Sequence, residues 1–514
     1  MIVSQWHKCQ TWGLTHPLTF GLLYCGILVC LSAAFQIPYL SYQPPYEYDE
    51  GVYWQTMRAF NHEYSLYTPI FLSQPPLFMK TAAFFYNALG QSISAARAGI
   101  LILSLPIIPA LYGLGWAHGA QQESDKKEHA ITLALVAGFL AAFSPTIFHT
   151  SHKLLANMPA ITLATLSWLI VAWPSKRCTV WQVAFSALIL AFSYQIKLFT
   201  AMAVLPIVLT IFSRVWPEQR TAGVVRYLIF FSICLLLFLI VLLNASGWRW
   251  REGIEQLQGG AVAYALKHGG APVEMQQSLW RKILLILFNG DRVTPWLALL
   301  GAALALWKRQ MLITVVWFMG VGLNLLTYNP IWYHHISVLI PAQILLIAFL
   351  IVQTLNGSLS SPKLRTVVIF CTGAFFLFEL AMVTVVPAAI LKQRKAEFSL
   401  DGALLVEDLK QLTKPKDLIL ADDPYLVALA DRNVPPELVD TSGVRMWTRS
   451  ITCASLSKYL EQNEIRAVVY SNRFQMIDCQ EELLLKIQKQ FQLFKKYKGG
   501  FSLFVRSRPA NPRS

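Results

Sequence analysis

Apolar residues in this chain run in long unbroken blocks, not in alternation or heptads, and such blocks fit successive helices. They lie near residues 17 to 38, 94 to 117, 130 to 149, 157 to 173, 179 to 194, 197 to 213, 227 to 244, 294 to 307, 311 to 327, 334 to 354 and 366 to 387. A hydrocarbon core of ~30 Å takes about 20 apolar residues per helical crossing. Inside lipid the backbone satisfies its polar groups only within helices or a closed barrel. The pattern therefore predicts an all-α polytopic membrane bundle of about eleven transmembrane helices. The first block is too long, and too poorly followed by small residues, to be a cleavable signal, so it counts as a retained helix.

Between the blocks, two loops on the predicted outer side are long. Residues 39 to 93 contain VYWQTMRAFNHEY and PPLFMKTAAFFYNALG, whose mixed aromatic and polar faces suit helices lying in the membrane interface. Residues 245 to 293 contain WRWREGIEQLQGGAVAYALKHGG, where paired glycines suit a loop able to change conformation. From about residue 400 the pattern changes. DLILADD, RAVVYS and FSLFVR read as strands, and ALLVEDLKQLT, SLSKYLEQN and CQEELLLKIQKQF read as helices, which predicts a small α/β domain. The expected organisation is a membrane domain over residues 1–390 and an outer soluble domain over 391–514.

Composition agrees with this picture: 55% of the 514 residues are hydrophobic and 14% charged. The formal charge of +15 does not point to nucleic acid, because it gathers in the predicted inner loops. Lys126, Lys127, Lys176, Arg177, Arg214, Arg220, Arg226, Lys308, Arg309, Lys363 and Arg365 all fall there, the positive-inside pattern. It sets the N-terminus on the cytoplasmic side and the C-terminal domain outside. The second outer loop departs from this trend with Arg249, Arg251, Lys267, Arg281, Lys282 and Arg292. Those charges fit an anionic ligand or lipid headgroups, and equally a long loop translocated despite its charge. Cys453 and Cys479 are the two cysteines in the predicted outer domain, where an oxidising compartment would permit a disulfide.

Candidate chemistry centres on YEYDEGVYW, residues 46 to 54, an acidic stretch just beyond the first apolar block. By themselves Asp49 and Glu50 also fit a solvated helix start, since acids there complement the helix dipole. Their company is more informative. Tyr67 and QPPLF (74 to 78) follow before the second block, then SPTIFHTSHKLLANMPAITLATLSW (144 to 168), YQIKLFTAMAVLP (194 to 206) and YNPIWYHHISVLIPA (328 to 342).

In that order, over about the first 390 residues, these motifs resemble the large membrane glycosyltransferases that use polyprenyl-phosphate sugars. Within that group the chain is most similar to the protein mannosyltransferase and aminoarabinose transferase relatives. The resemblance implies a GT-C fold and inverting transfer of a monosaccharide from a polyprenyl-phosphate donor, at the outer face of a bacterial-type cytoplasmic (inner) membrane. The acceptor, whether lipid, glycan or protein, stays open. Asp49 would be the general base, with Glu50 orienting the acceptor or holding structure. Lys197, His334 and His335, with Tyr333 and Gln74, would meet the donor and its phosphate, where cations stabilise the developing charge. Lys197 also fits snorkelling to the interface, and the histidines fit an ordinary polar helix start. Two positions depart from the family: Asn157 stands where a second acid is common, and Gln74 where many members have Lys or His.

His149 and His152 are a helical turn apart but lack a neighbouring acid or Cys, so no metal site is expected. No cofactor is implied, and a divalent-cation requirement is open. A transporter or flippase of lipid-linked sugars is the alternative class. It would favour internal repeats and Gly- or Pro-broken paired helices, and the sequence shows neither. A catalytically degenerate family member is the third reading, because Asn157 is neutral.

Overall fold

The structure is a computed structural model that describes residues 17–42, 47–122, 127–175, 178–288, 293–356, 366, 370, 373–375, 378, 381, 401–471, 473–498 and 500–506. Every apolar block up to residue 354 falls on helical structure. The block near 366 to 387 lies largely outside the described residues. Among the described residues, five helices are long and apolar enough to cross a membrane: Thr19–Leu40, Ile93–Ala120, Leu198–Trp216, Thr221–Ala245 and Tyr333–Leu355. A sixth arises if Lys127–Phe143 and Pro145–Ser151, bent by 49° about Ser144, are one broken span. Others, such as Asn157–Ala172, Val180–Ile196 and Leu312–Thr327, are apolar but shorter than the ~20 residues of a full crossing. Large side chains point outward from these helices, among them Leu22 (75% exposed), Trp181 (71%) and Leu236 (58%). Hydrocarbon covers such a surface without the cost that water would impose, and the protein is a multi-pass membrane protein.

The chain forms two compact units. The first comprises residues 1–41, 97–245 and 277–387. Its core is built by small residues that let helices approach closely. Within Ile107–Gln122, Gly115 lies where a Cβ would come 2.9 Å from Ala134 Cα, and Gly119 is pressed against Ala130 in the same way. Gly301 similarly faces the Leu346 carbonyl. Buried aromatics fill the centre: the Trp168 and Trp317 rings meet edge to face at 5.0 Å, and Trp168 Nε1 donates to Thr210 Oγ1 at 2.8 Å. Hydrogen bonds between helices, such as Ser193 Oγ to the Ala160 carbonyl at 2.8 Å, satisfy groups that lipid cannot.

The second unit comprises residues 42–96, 246–276 and 388–514, so two long segments between apolar blocks pack with the C-terminal segment. Its sheet runs β1-β2-β4-β3, with β1 (Leu418–Ala421), β2 (Ile465–Tyr470), β3 (Gln492–Lys496) and β4 (Ser502–Val505). β1 and β2 are parallel, and β4 pairs antiparallel with both β2 and β3. The three predicted strands are β1, β2 and β4. β3 was not anticipated because its side chains are mostly exposed, so no apolar alternation marks it. Lys495 and Lys496 give this edge strand the charge that discourages pairing with other chains. Leu420, Val468, Leu483, Ile487 and Phe504 form the core beneath the sheet. Cys453 and Cys479 are bonded to each other, with Cα atoms 6.3 Å apart.

Asp422, immediately after β1, is fully buried. One of its oxygens accepts from the Ser471 and Phe474 amides, both at 2.9 Å, pinning the loop after β2. The other has no hydrogen-bond partner among the described residues. Burial pushes this carboxyl up from 3.8 to about 6. Between those values the folded chain holds a proton that the unfolded chain has lost. The stabilising contribution is therefore complete below 3.8 and disappears as pH rises through about 6. Asp422→Asn keeps the acceptor oxygen but cannot ionise. It is expected to flatten the pH dependence of the unfolding midpoint between about pH 4 and 7, and to stabilise the neutral-pH protein by on the order of 2 kcal/mol. Thermal unfolding across that pH range tests this, and an unchanged slope would contradict it.

Candidate active site

The acidic stretch belongs to the second unit, where Tyr48–Asn61 is a helix with Asp49 and Glu50 in its first turn. Glu50 is fully buried, whereas Asp49 is partly exposed. Of the two, Asp49 is therefore the carboxylate open to a substrate. One turn on, Tyr53 is buried against Phe78 with ring centroids 4.9 Å apart. Burial, and after it the negative charge of Asp49, pushes the Tyr53 phenol well above its usual range, so it stays protonated. Its hydroxyl accepts a hydrogen bond from Gln74 Nε2, and the Gln74 carbonyl accepts from Tyr67 Oη at 2.8 Å. The QPP segment is thus tied to the acidic helix through Tyr53. Among the described residues the Gln74 side-chain oxygen has no hydrogen-bond partner.

The same helix is fastened to the C-terminal segment. Gln55 Nε2 donates to the carbonyls of Arg432, at 3.0 Å, and Pro424, at 3.3 Å. Arg58 pairs with Asp431 at 2.8 Å and donates to Asn433 Oδ1 at 2.9 Å. Gly51 allows this approach, since a Cβ there would lie 2.6 Å from the Tyr425 nitrogen and 2.9 Å from its Cα. In an exposed helix, Gly→Ala gains up to about 1 kcal/mol in propensity. Here the clash is with backbone, and overpacking costs about 1–3 kcal/mol. Gly51→Ala is therefore expected to lower the unfolding midpoint and speed proteolysis of the C-terminal segment. A raised midpoint would show that the contact yields freely.

In the first unit, residues distant in sequence form one buried polar network. Asn157 begins helix Asn157–Ala172, Lys197 ends helix Val180–Ile196, and His334 lies in the 3₁₀ turn Tyr333–Leu339. Lys197 Nζ donates to Asn157 Oδ1 at 2.8 Å, and Asn157 Nδ2 donates to the His334 carbonyl at 2.7 Å. All three are at most 9% exposed. The ammonium only donates and the carbonyl only accepts, so a single side chain between them must accept on one side and donate on the other. A neutral amide does both; an ionised Asp would not. His335 stacks on Phe199 at 4.5 Å, and the Lys197 neighbour Phe199 also meets Tyr328 at 4.7 Å. Lys153 Nζ lies 5.5 Å from the centroid of the exposed Tyr333 ring, within cation–π range.

The structure thus brings together Asn157, Lys197 and His334, with His335 and Tyr333 beside them, and places Asp49, Glu50 and Gln74 on linked elements of the second unit. Among the described residues, no group of three or more His, Cys, Asp or Glu side chains could hold a metal ion. Sequence reasoning missed Gly51 and Tyr53 as parts of these arrangements. The helical spacing of Tyr53 from Asp49 was a local signal; Gly51 depends on Tyr425, far along the chain.

No family model and no curated protein matches the sequence. Solved structures do match in fold. ArnT from Cupriavidus metallidurans in the apo state superposes with a TM-score of 0.62 at 13% identity, over 94% of this chain and 97% of that one. The same protein bound to undecaprenyl phosphate gives 0.61 at 13% identity, over 96% and 99%. The oligosaccharyltransferase AglB from Archaeoglobus fulgidus, in complex with an inhibitory peptide and a dolichol-phosphate, gives 0.50 at 12% identity, over 97% of this chain and 76% of that one. The chain has the GT-C fold. Among these similar structures, ArnT is matched over nearly the full length of both chains.

Proposed function

We propose that this protein is a membrane glycosyltransferase that moves a monosaccharide from a polyprenyl-phosphate donor to an acceptor on the outer face of a bacterial cytoplasmic membrane. The observation that carries this reading is the buried network of Lys197, Asn157 and His334, residues that the family motifs single out although they lie up to 177 positions apart. A fold alone does not define a function, but the likeness to ArnT extends to a structure holding undecaprenyl phosphate, the chemical class of the proposed leaving group.

In the proposed reaction Asp49 takes the proton from the acceptor hydroxyl or amine as the acceptor atom bonds to the anomeric carbon. The bond from that carbon to the phosphate oxygen breaks, and polyprenyl phosphate leaves with the electron pair. Attack from the face opposite the phosphate inverts the anomeric centre. Lys197 neutralises the departing phosphate, and Tyr333, His335 and Gln74 supply further donor contacts. Glu50, being buried, supports the helix that carries Asp49.

Supplying native membranes and purified protein with donors labelled in the sugar tests this directly. Label is expected in the lipid, glycan or protein fraction, with the anomeric configuration inverted. Donor that binds without label reaching any fraction would favour a carrier over an enzyme.

A further inference from the structure

The helix that carries Asp49 begins against the C-terminal segment. Its first residues must leave amide groups without intrahelical partners, and Glu47, at the capping position, makes no side-chain capping hydrogen bond. The first turn is held from outside, by Tyr48. Its hydroxyl accepts from the Thr441 amide at 2.8 Å and lies 3.0 Å from Thr441 Oγ1. Thr441 Oγ1 in turn reaches the Ala421 carbonyl at 3.4 Å, at the end of β1. Since that carbonyl only accepts, the Thr441 hydroxyl points to it and the Tyr48 hydroxyl donates to Thr441 Oγ1. The three groups form one directed chain from the acidic helix to the sheet. Arg473 closes the other side, its guanidinium 3.8 Å from the centroid of the Tyr48 ring. Thr441 is fully buried.

Resting on the assignment of Asp49 as base, we propose that Tyr48 is a positioning residue: through Thr441 it fixes the first helical turn, and with it the Asp49 carboxylate, against the C-terminal sheet. Tyr48 touches no reacting atom in this account. The downstream fastenings at Gly51, Gln55 and Arg58 hold the helix axis, so losing the Tyr48 hydroxyl acts on the turn bearing Asp49 and not on the whole helix. Small misplacement of a reacting group is costly, with about 1 Å enough for 10²-fold. The C-terminal α/β segment thereby contributes to the chemical step without supplying a catalytic group.

The test uses the full-length protein with Tyr48→Phe, Thr441→Val, Thr441→Ser and the Tyr48→Phe/Thr441→Val double variant. Release of polyprenyl phosphate, donor binding and the unfolding midpoint are measured for each. Tyr48→Phe, which loses both hydrogen bonds, is expected to lower kcat by roughly tenfold or more, and Thr441→Val, which keeps the amide, by less. Donor Kd should stay near wild type, and the fall in midpoint that leaving the buried Thr441 amide unpaired brings should not scale with the loss of kcat across the four variants. The double variant should be no worse than Tyr48→Phe, and Thr441→Ser should behave as wild type. Unchanged kcat in Tyr48→Phe and Thr441→Val overturns the proposal, as do losses that follow a fallen midpoint or additive losses in the double variant. Wild type that releases nothing removes the enzymatic reading itself, and this proposal falls with it.

Discussion

Asp49→Asn is expected to reduce polyprenyl phosphate release by 10²- to 10⁴-fold, the range that a positioned general base contributes. The substitution nearly preserves shape but removes the capacity to take a proton. Asp49 sits in a helix whose other side is fixed by Gly51, Gln55 and Arg58 against the C-terminal segment, so folding should survive. Donor binding should be little changed, because the base acts on the acceptor. The loss belongs in kcat, and kcat and kcat/KM should fall together. Glu50→Gln provides the contrast: Glu50 is fully buried, so its replacement should act on stability before it acts on chemistry.

Lys197→Met comes next in expected size, at about 10²- to 10³-fold in kcat, comparable to removing one preorganised group that stabilises developing negative charge. Asn157 sharpens this prediction. It accepts from Lys197 and donates to the His334 carbonyl, so an acidic residue is not a neutral exchange here. Asn157→Asp would set a carboxylate oxygen against a carbonyl oxygen at the 2.7 Å now spanned by a hydrogen bond, a loss worth about 1–3 kcal/mol. It would also give the Lys197 charge a carboxylate partner. The expected result is lower thermal stability together with slower release. Asn157→Asp matching or exceeding wild-type release would mean that the position still works as an acid site.

Much of the fold was legible because lipid imposes a strong code. An apolar block must be helical whatever its neighbours are, so each block through 334 to 354 marked helical structure. The short C-terminal strands with buried faces were also visible, while the exposed edge strand Gln492–Lys496 left no periodicity. The packing of residues 42–96 and 246–276 with the C-terminal segment was not visible, because composition changes only near residue 400 and nothing local announces a partner. The site divides in the same way. Motif order marked Asp49, Asn157, Lys197 and His334, but the link of Tyr48 to Thr441 spans 393 positions. Asn157 looked like a missing charge in sequence; only its two partners reveal why an amide stands there.

The most direct measurement of the central claim is polyprenyl phosphate release by purified full-length wild type and Asp49→Asn, side by side, from a panel of polyprenyl-phosphate monosaccharides supplied with native membranes as the acceptor source, with donor binding measured on both. The account predicts release by wild type from at least one donor, and loss of that release in Asp49→Asn while the donor still binds. Donor bound by wild type without release, or equal release by the two proteins, would contradict it.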